Sequence, residues 1–138
     1  MFTTSRRVEF GDTDMAGIMY FANFFRFMEA AETDFLHALG TSVLFERDGV
    51  KWGFPRVSVG CEYARPARFE DVLTVGVEVE RVGAKSVSYR FPFTNQRGEA
   101  VAVGRITAVC CREGPGGRLE SAEIPPELRA KLEGQMAG

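Results

Sequence analysis

The chain opens on an alternation of polar and apolar positions. Residues 2–10 read as a strand, with Val8 and Phe10 on one face and Arg7 and Glu9 on the other. A glycine-bounded loop follows, Gly11-Asp12-Thr13-Asp14-Met15-Ala16-Gly17. The period then changes. Phe24, Phe27, Met28, Ala31, Phe35 and Leu39 recur at spacings of three and four, the apolar stripe of an amphipathic helix. Asn23 is its expected N-cap and Gly40 its expected stop. The stretch is worth roughly 24 Å of helix. Residues 41–49 read as one more short helix.

Beyond that point the alternation returns. Residues 57–63, 73–80 and 87–93 alternate apolar and polar side chains, and 100–111 form a fifth, less regular strand. Arg65-Pro66-Ala67-Arg68 separates the second strand from the third. Gly83-Ala84 and Gln96-Arg97-Gly98 have the composition of hairpin turns, and residues 114–117 that of a loop. Pro125-Pro126 opens a short helix over 127–133. The short connections make strands three to five antiparallel neighbours. A sheet with one apolar face must cover it, and one very apolar helix is the available cover. The expected class is α+β: an antiparallel sheet of five or six strands wrapped around one long central helix, with a stripe wide enough for a nearly engulfed position.

Composition narrows the function classes. A chain of 138 residues is expected to form a single domain over 1–138. At 45% hydrophobic and 26% charged residues, it is neither disordered nor fibrous. A net charge of -2 gives no global attraction to nucleic acid or to an anionic membrane, so neither is an expected partner. No apolar run approaches the ~20 residues of a membrane span. The first residues lack an apolar core of signal-peptide length, which makes the cytoplasm the default location. Cys110 and Cys111 are adjacent, a poor geometry for a disulfide, and Cys61 is remote in sequence. With 1 His and no C-x-x-C spacing, no metal site is expected, and the thiols read as buried and reduced.

Most catalytic signatures are absent. There is no phosphate-binding glycine motif, and Arg56-Val57-Ser58-Val59-Gly60 lacks the first glycine of a nucleophile elbow. His37 falls late on the helix, where a cation suits the terminus. Any catalysis therefore falls to a carboxylate. Asp12 and Asp14 precede a helix start whose backbone N–H groups, over residues 18–24, are unpaired by the helix itself. Such donors can hold a developing oxyanion. The same acids equally suit capping or turn chemistry.

The run Arg7-Val8-Glu9-Phe10-Gly11-Asp12-Thr13-Asp14-Met15-Ala16-Gly17-Ile18-Met19-Tyr20-Phe21-Ala22-Asn23-Phe24-Phe25-Arg26 resembles the 4-hydroxybenzoyl-CoA thioesterase family of the hotdog fold. The resemblance continues through Ala64-Arg65-Pro66-Ala67-Arg68-Phe69-Glu70-Asp71-Val72-Leu73, Val82-Gly83-Ala84-Lys85-Ser86 and Ile124-Pro125-Pro126. It implies that Asp14 is the catalytic carboxylate, attacking the thioester carbonyl or activating a water, while Asp12 supports the loop. It implies that the Phe21 backbone N–H polarises the thioester oxygen, with Gly17 and Tyr20 shaping the turn. Lys85 matches a position that meets CoA phosphates. The family's richer basic cluster is absent, which leaves Arg81, Arg65 and Arg68 as further candidates. Glu29 matches an acid near the substrate ring, and it equally suits a structural ion pair. Of Phe24, Phe25 and Phe27, at least two are expected in the core rather than in an acyl pocket.

The resemblance thus implies an acyl-CoA thioesterase for an aromatic or short-to-medium acyl group. No cofactor is implied, because CoA is part of the substrate. Pairing into a homodimer or homotetramer is implied, with sites at the dimer interface. The alternatives are a non-catalytic acyl-CoA-binding module and an enzyme for acyl-carrier-protein thioesters. A hotdog dehydratase normally needs a histidine that His37 is badly placed to supply.

Overall fold

The computed structural model describes residues 1–136. The single-domain expectation for 1–138 extends over Ala137 and Gly138, which lie outside the described residues. The chain begins with β1 (Phe2–Arg7), and α1 (Asn23–Ala38) follows after a loop. Two short strands, β2 (Leu44–Arg47) and β3 (Val50–Gly53), lead into β4 (Arg56–Tyr63). Then come β5 (Val72–Val82), β6 (Ser86–Thr94) and β7 (Ala100–Val109). β8 (Cys111–Glu113), β9 (Leu119–Ser121) and α2 (Pro126–Glu133) close the chain. Among the described residues the main sheet is five-stranded and antiparallel, in the order β1-β5-β6-β7-β4. A second, smaller sheet runs β2-β3-β8-β9.

The alternation of β5 and β6 does what its period requires. Leu73, Val75, Val77, Val79, Val87, Tyr89, Phe91 and Phe93 are buried. α1 lies against β1, β4, β5 and β7 and buries Phe24, Phe27, Met28, Ala31, Phe35 and Leu36. Each of the Phe, Met and Leu side chains contributes about 1.5–3 kcal/mol by leaving water. The helix sits close to the sheet where β7 carries Gly104, and a Cβ there would meet the Met28 sulfur at 2.5 Å. Coverage is one-sided, because Arg26, Glu29, Asp34 and His37 of α1 are exposed, so the helix is not engulfed. Gly40 ends it in the left-handed conformation, φ +82°, and returns its N–H to His37 O at 3.0 Å.

Four further expectations need correction. The first strand stops at Arg7, and Val8 and Phe10 do not share a face. Val8 is buried and Phe10 is 79% exposed, because the chain turns into a 3-10 segment, Phe10–Asp12. Asn23 is not the N-cap. That position is Ala22, and the Asn23 side chain donates instead to Asp12 O at 2.9 Å. Residues 41–49 are not helical. β2 and β3 form a hairpin whose turn, Asp48 and Gly49, has φ of 54° and 75°, the primed geometry that matches strand twist. Residues 100–111 are not one strand. The chain leaves the main sheet at Cys110, whose N–H binds Lys85 O at 2.7 Å, and enters the small sheet as β8.

Candidate active site

The loop between β1 and α1 is built by its own polar atoms. Asp12 is its hub. Its carboxylate accepts the Glu9 N–H at 2.8 Å, and its carbonyl accepts the Tyr20 N–H at 2.8 Å. The Asn23 bond to that carbonyl ties the loop to α1. The Asp12 carboxylate is thus engaged in holding the loop. Asp14 heads a tight turn: its N–H donates to Ile18 O at 2.8 Å, and its carbonyl accepts the Gly17 N–H at 3.0 Å. The turn needs a left-handed residue, and Gly17 supplies it at φ +80° without a Cβ penalty. Asp14 Oδ1 accepts the Ala16 N–H at 2.8 Å, which orients a half-exposed carboxylate.

The turn docks on the connection after β4. Met19 N–H donates to Ala67 O at 2.7 Å, and Ile18 bridges to Arg68. Between them lies an apolar groove of about 370 Å³, lined chiefly by Ile18, Phe21, Phe24, Tyr63 and Pro66, with Arg65 at its rim. Tyr63, at the end of β4, donates its hydroxyl to Phe21 O at 2.8 Å. Its ring stands edge-on to Phe24 with centroids 5.0 Å apart. Among the described residues, no protein acceptor meets the N–H of Phe21 or of Ala22 at the start of α1. The Asp14 turn is bonded to Ile18, which lines the apolar groove together with Phe21, so the carboxylate's turn, the free N–H donors of the helix start and the groove lie at the same end of the sheet. That is a sufficient set for addition to a carbonyl and stabilisation of the oxyanion.

The candidate binding residues divide between the two ends. Arg65 lies at the Asp14 end, where its guanidinium meets Glu99 at 2.6 Å and Ala100 O at 2.8 Å. Arg68 and Asp71 close the same connection, the Arg68 N–H donating to the Asp71 carboxylate at 2.8 Å. Lys85 and Arg81 lie at the opposite end, around the turn between β5 and β6. The length of β6 puts roughly 25 Å between the ends, so a single chain does not bring Lys85 and Arg81 to Asp14. Glu29 lies on the exposed face of α1 in a separate groove with Arg6, Arg26 and Asp34. Phe24 and Phe27 are core residues and Phe25 is half-buried, although Phe24 also lines the apolar groove.

Tyr63 is the site residue that sequence reasoning missed. It ends a strand alternation and precedes the Pro66 break by three residues, but nothing in the pattern marks its hydroxyl as bonded. Of the thiols, Cys61 neighbours Tyr63, while Cys110 lies at the Lys85 end of the sheet. Cys110 and Cys111 are buried and Cys61 half-buried, and burial pushes the Cys110 thiol up to about 11. His37 is exposed at the end of α1. Among the described residues no group of three acidic, His or Cys side chains is placed to hold a metal, and no helix is long and apolar enough to cross a membrane.

Comparison with known proteins fits this architecture. The profile of the Thioesterase-like superfamily matches residues 8–132, and the chain belongs to that family. It is 30% identical over 132 residues to a 4-hydroxybenzoyl-CoA thioesterase of Pseudomonas sp. (strain CBS-3), covering 91% of this chain and 92% of the relative. It is 30% identical over 107 residues to a 1,4-dihydroxy-2-naphthoyl-CoA hydrolase of Thermosynechococcus vestitus, covering 76% and 72%. Among solved structures, a gentisyl-coenzyme A thioesterase superposes with a TM-score of 0.78 at 27% identity, covering 93% of this chain and 99% of that one. The fold is the hotdog fold.

Proposed function

We propose that this protein is an acyl-CoA thioester hydrolase that releases an aromatic or short-to-medium acyl group as the free acid, with Asp14 as the carboxylate of the reaction. The observation that carries the reading is the oriented Asp14 turn, bonded to Ile18 on an apolar groove that Phe21, with its unpaired N–H, also lines. The thioester oxygen lies against the Phe21 N–H. Asp14 attacks the carbonyl carbon or takes a proton from an attacking water, and CoA leaves as the thiolate. Gly17 and Tyr20 act through the backbone, holding the turn and the loop to Asp12. The named substrates of the relatives, hydroxylated aryl-CoA thioesters, support an aromatic acyl group.

The reading includes self-association. β4 is an edge strand, with every residue but Cys61 exposed and Val57, Val59 and Tyr63 presenting apolar surface. Such an edge is a template for pairing with a second copy. Two copies paired antiparallel along β4 bring the Arg56 end of one against the Tyr63 end of the other. Lys85 travels with the Arg56 end, since Pro55 O accepts the Val109 N–H and Lys85 O the Cys110 N–H. The pairing thus gives Lys85 and Arg81 of one copy a route to the CoA phosphates at the other copy's site, with Arg65 as the local cation. Glu29 on the exposed helix face is available to a ring hydroxyl in the same assembly.

The test is free-thiol release from a panel of aromatic and aliphatic acyl-CoA thioesters. Turnover ranked toward the aryl members supports the reading in full. Binding of acyl-CoA without turnover on any member contradicts it and favours a non-catalytic acyl-CoA-binding module.

A further inference from the structure

We propose that the Tyr63 hydroxyl is a positioning group for the oxyanion site: from the end of β4 it holds the Phe21–Ala22 peptide unit at the start of α1. This role rests on the thioester-hydrolase reading and adds to it a residue outside the Asp14 loop and outside α1.

The start of α1 lacks its usual lock. Its N-cap is Ala22, which offers no side-chain acceptor. The turn is opened by a short bond, Asn23 N to Tyr20 O at 2.9 Å, but the next two are longer, Phe24 N to Phe21 O at 3.3 Å and Phe25 N to Ala22 O at 3.2 Å. The Phe21 carbonyl takes its short bond from another element, the Tyr63 hydroxyl at 2.8 Å. The edge-on contact with Phe24 fixes the Tyr63 ring, so the hydroxyl is aimed rather than free to swing.

The bonded carbonyl and the Ala22 N–H belong to one peptide unit. A donor on the carbonyl polarises the amide and strengthens its N–H, the cooperative effect of hydrogen-bond chains. It also fixes the ψ angle of Phe21, and with it the direction of the Ala22 N–H, one of the two unpaired donors at the helix start. Tyr63 is 45% exposed at the strand edge, but partial desolvation and the neighbouring Cys61 push its phenol up to about 12, and the donor proton is held at neutral pH as it is in any phenol. Developing negative charge draws most on such donors, so the hydroxyl stabilises the transition state more than the bound substrate.

The experiment compares the full-length parent, Tyr63→Phe and a protein carrying 3-fluorotyrosine at position 63 on one aryl-CoA substrate. Each protein is also titrated with the unreactive thioether analogue and melted. Tyr63→Phe keeps the ring and its contact with Phe24 and removes one hydrogen bond. The expected result is a fall in kcat of roughly three- to ten-fold. KM and thioether affinity stay within about two-fold of the parent. The 3-fluorotyrosine protein, with a more acidic donor, keeps at least the parent kcat. An unchanged kcat in Tyr63→Phe overturns the role, as does a raised KM at constant kcat, which assigns the hydroxyl to substrate contact. A kcat loss matched by a lost folded fraction also overturns it. A parent without turnover on any thioester fails at an earlier step and overturns the hydrolase reading, and this role with it.

Discussion

Glu32 of α1 and Arg56 at the start of β4 form an ion pair in which the carboxylate is 1% exposed and the guanidinium side chain 29%. Arg56 donates through Nε at 3.1 Å and through Nη2, both to Glu32 Oε1. Burial raises the Glu32 pKa, and the Arg56 bond opposes the rise without cancelling it. The pair fastens the helix to the edge strand at the end of the sheet opposite Asp14.

A raised carboxyl pKa gives stability a definite slope. Between the ordinary value of 4.5 and the raised folded value, the folded state holds more protons than the unfolded state. The Glu32 contribution is present at acid pH and lost as pH rises through the folded pKa. Glu32→Gln lacks this loss, so its stability relative to the parent climbs with pH across that window. Urea denaturation of both proteins from pH 4 upward measures it, and a flat difference contradicts the assignment. Arg56→Met leaves the carboxylate unpaired and costs about 2–3 kcal/mol at neutral pH, less than for a fully buried pair because Arg56 is partly solvated.

Gly17→Ala places a Cβ at φ +80° in the Asp14 turn. The left-handed conformation costs an L-residue about 1–2 kcal/mol. Relief of that strain shifts the Asp14 carboxylate, so turnover falls by more than the melting temperature alone accounts for. Parallel melting and steady-state measurements test this; full activity with a lowered Tm would detach the turn from the chemistry.

Asp12→Ala removes the acceptor of the Glu9 N–H and leaves the Asp12 carbonyl bonds in place. The expected cost is about 1 kcal/mol of stability, with kcat/KM kept within about ten-fold of the parent. A collapse of activity as deep as that of an Asp14 substitution would reverse the roles of the two acids.

Val59→Lys puts a charge in the middle of the exposed β4 edge, the device by which native edges resist pairing. Sedimentation velocity of the parent is expected to show a dimer or larger assembly and that of the variant a monomer. The monomer loses turnover if Lys85 and Arg81 reach the substrate only from a second copy. A monomeric parent with full activity contradicts that arrangement.

The legible parts of the molecule were those with one dominant physical cause. The stripe from Phe24 to Leu39 has the period of a helix and became one, and the alternation through Leu73 to Phe93 has the period of strands and became strands. The Asp14 loop was legible by resemblance, and the structure supplies its hydrogen bonds. Residues 41–49 misled because Leu44-Phe45-Glu46-Arg47 suits a helix as well as a strand. The Asp48-Gly49 pair carried the deciding signal, since both residues adopt positive φ. Phe10 misled because a two-residue period cannot show where a chain turns, and here the Asp12 carboxylate turns it. Lys85 and Arg81 could be placed at a turn but not at a distance, because separation from Asp14 is set by strand order.

The central claim is that Asp14 carries thioester hydrolysis. Asp14→Asn keeps the size of the side chain and an oxygen for the Ala16 N–H, but it cannot attack or accept a proton. Thiol release from the best aryl-CoA substrate, for the parent and Asp14→Asn at equal concentration, is the most direct measurement. The parent is expected to turn over steadily and the variant to fall by roughly 10²–10⁴-fold, the size of a lost general base. Turnover that survives the substitution would contradict it.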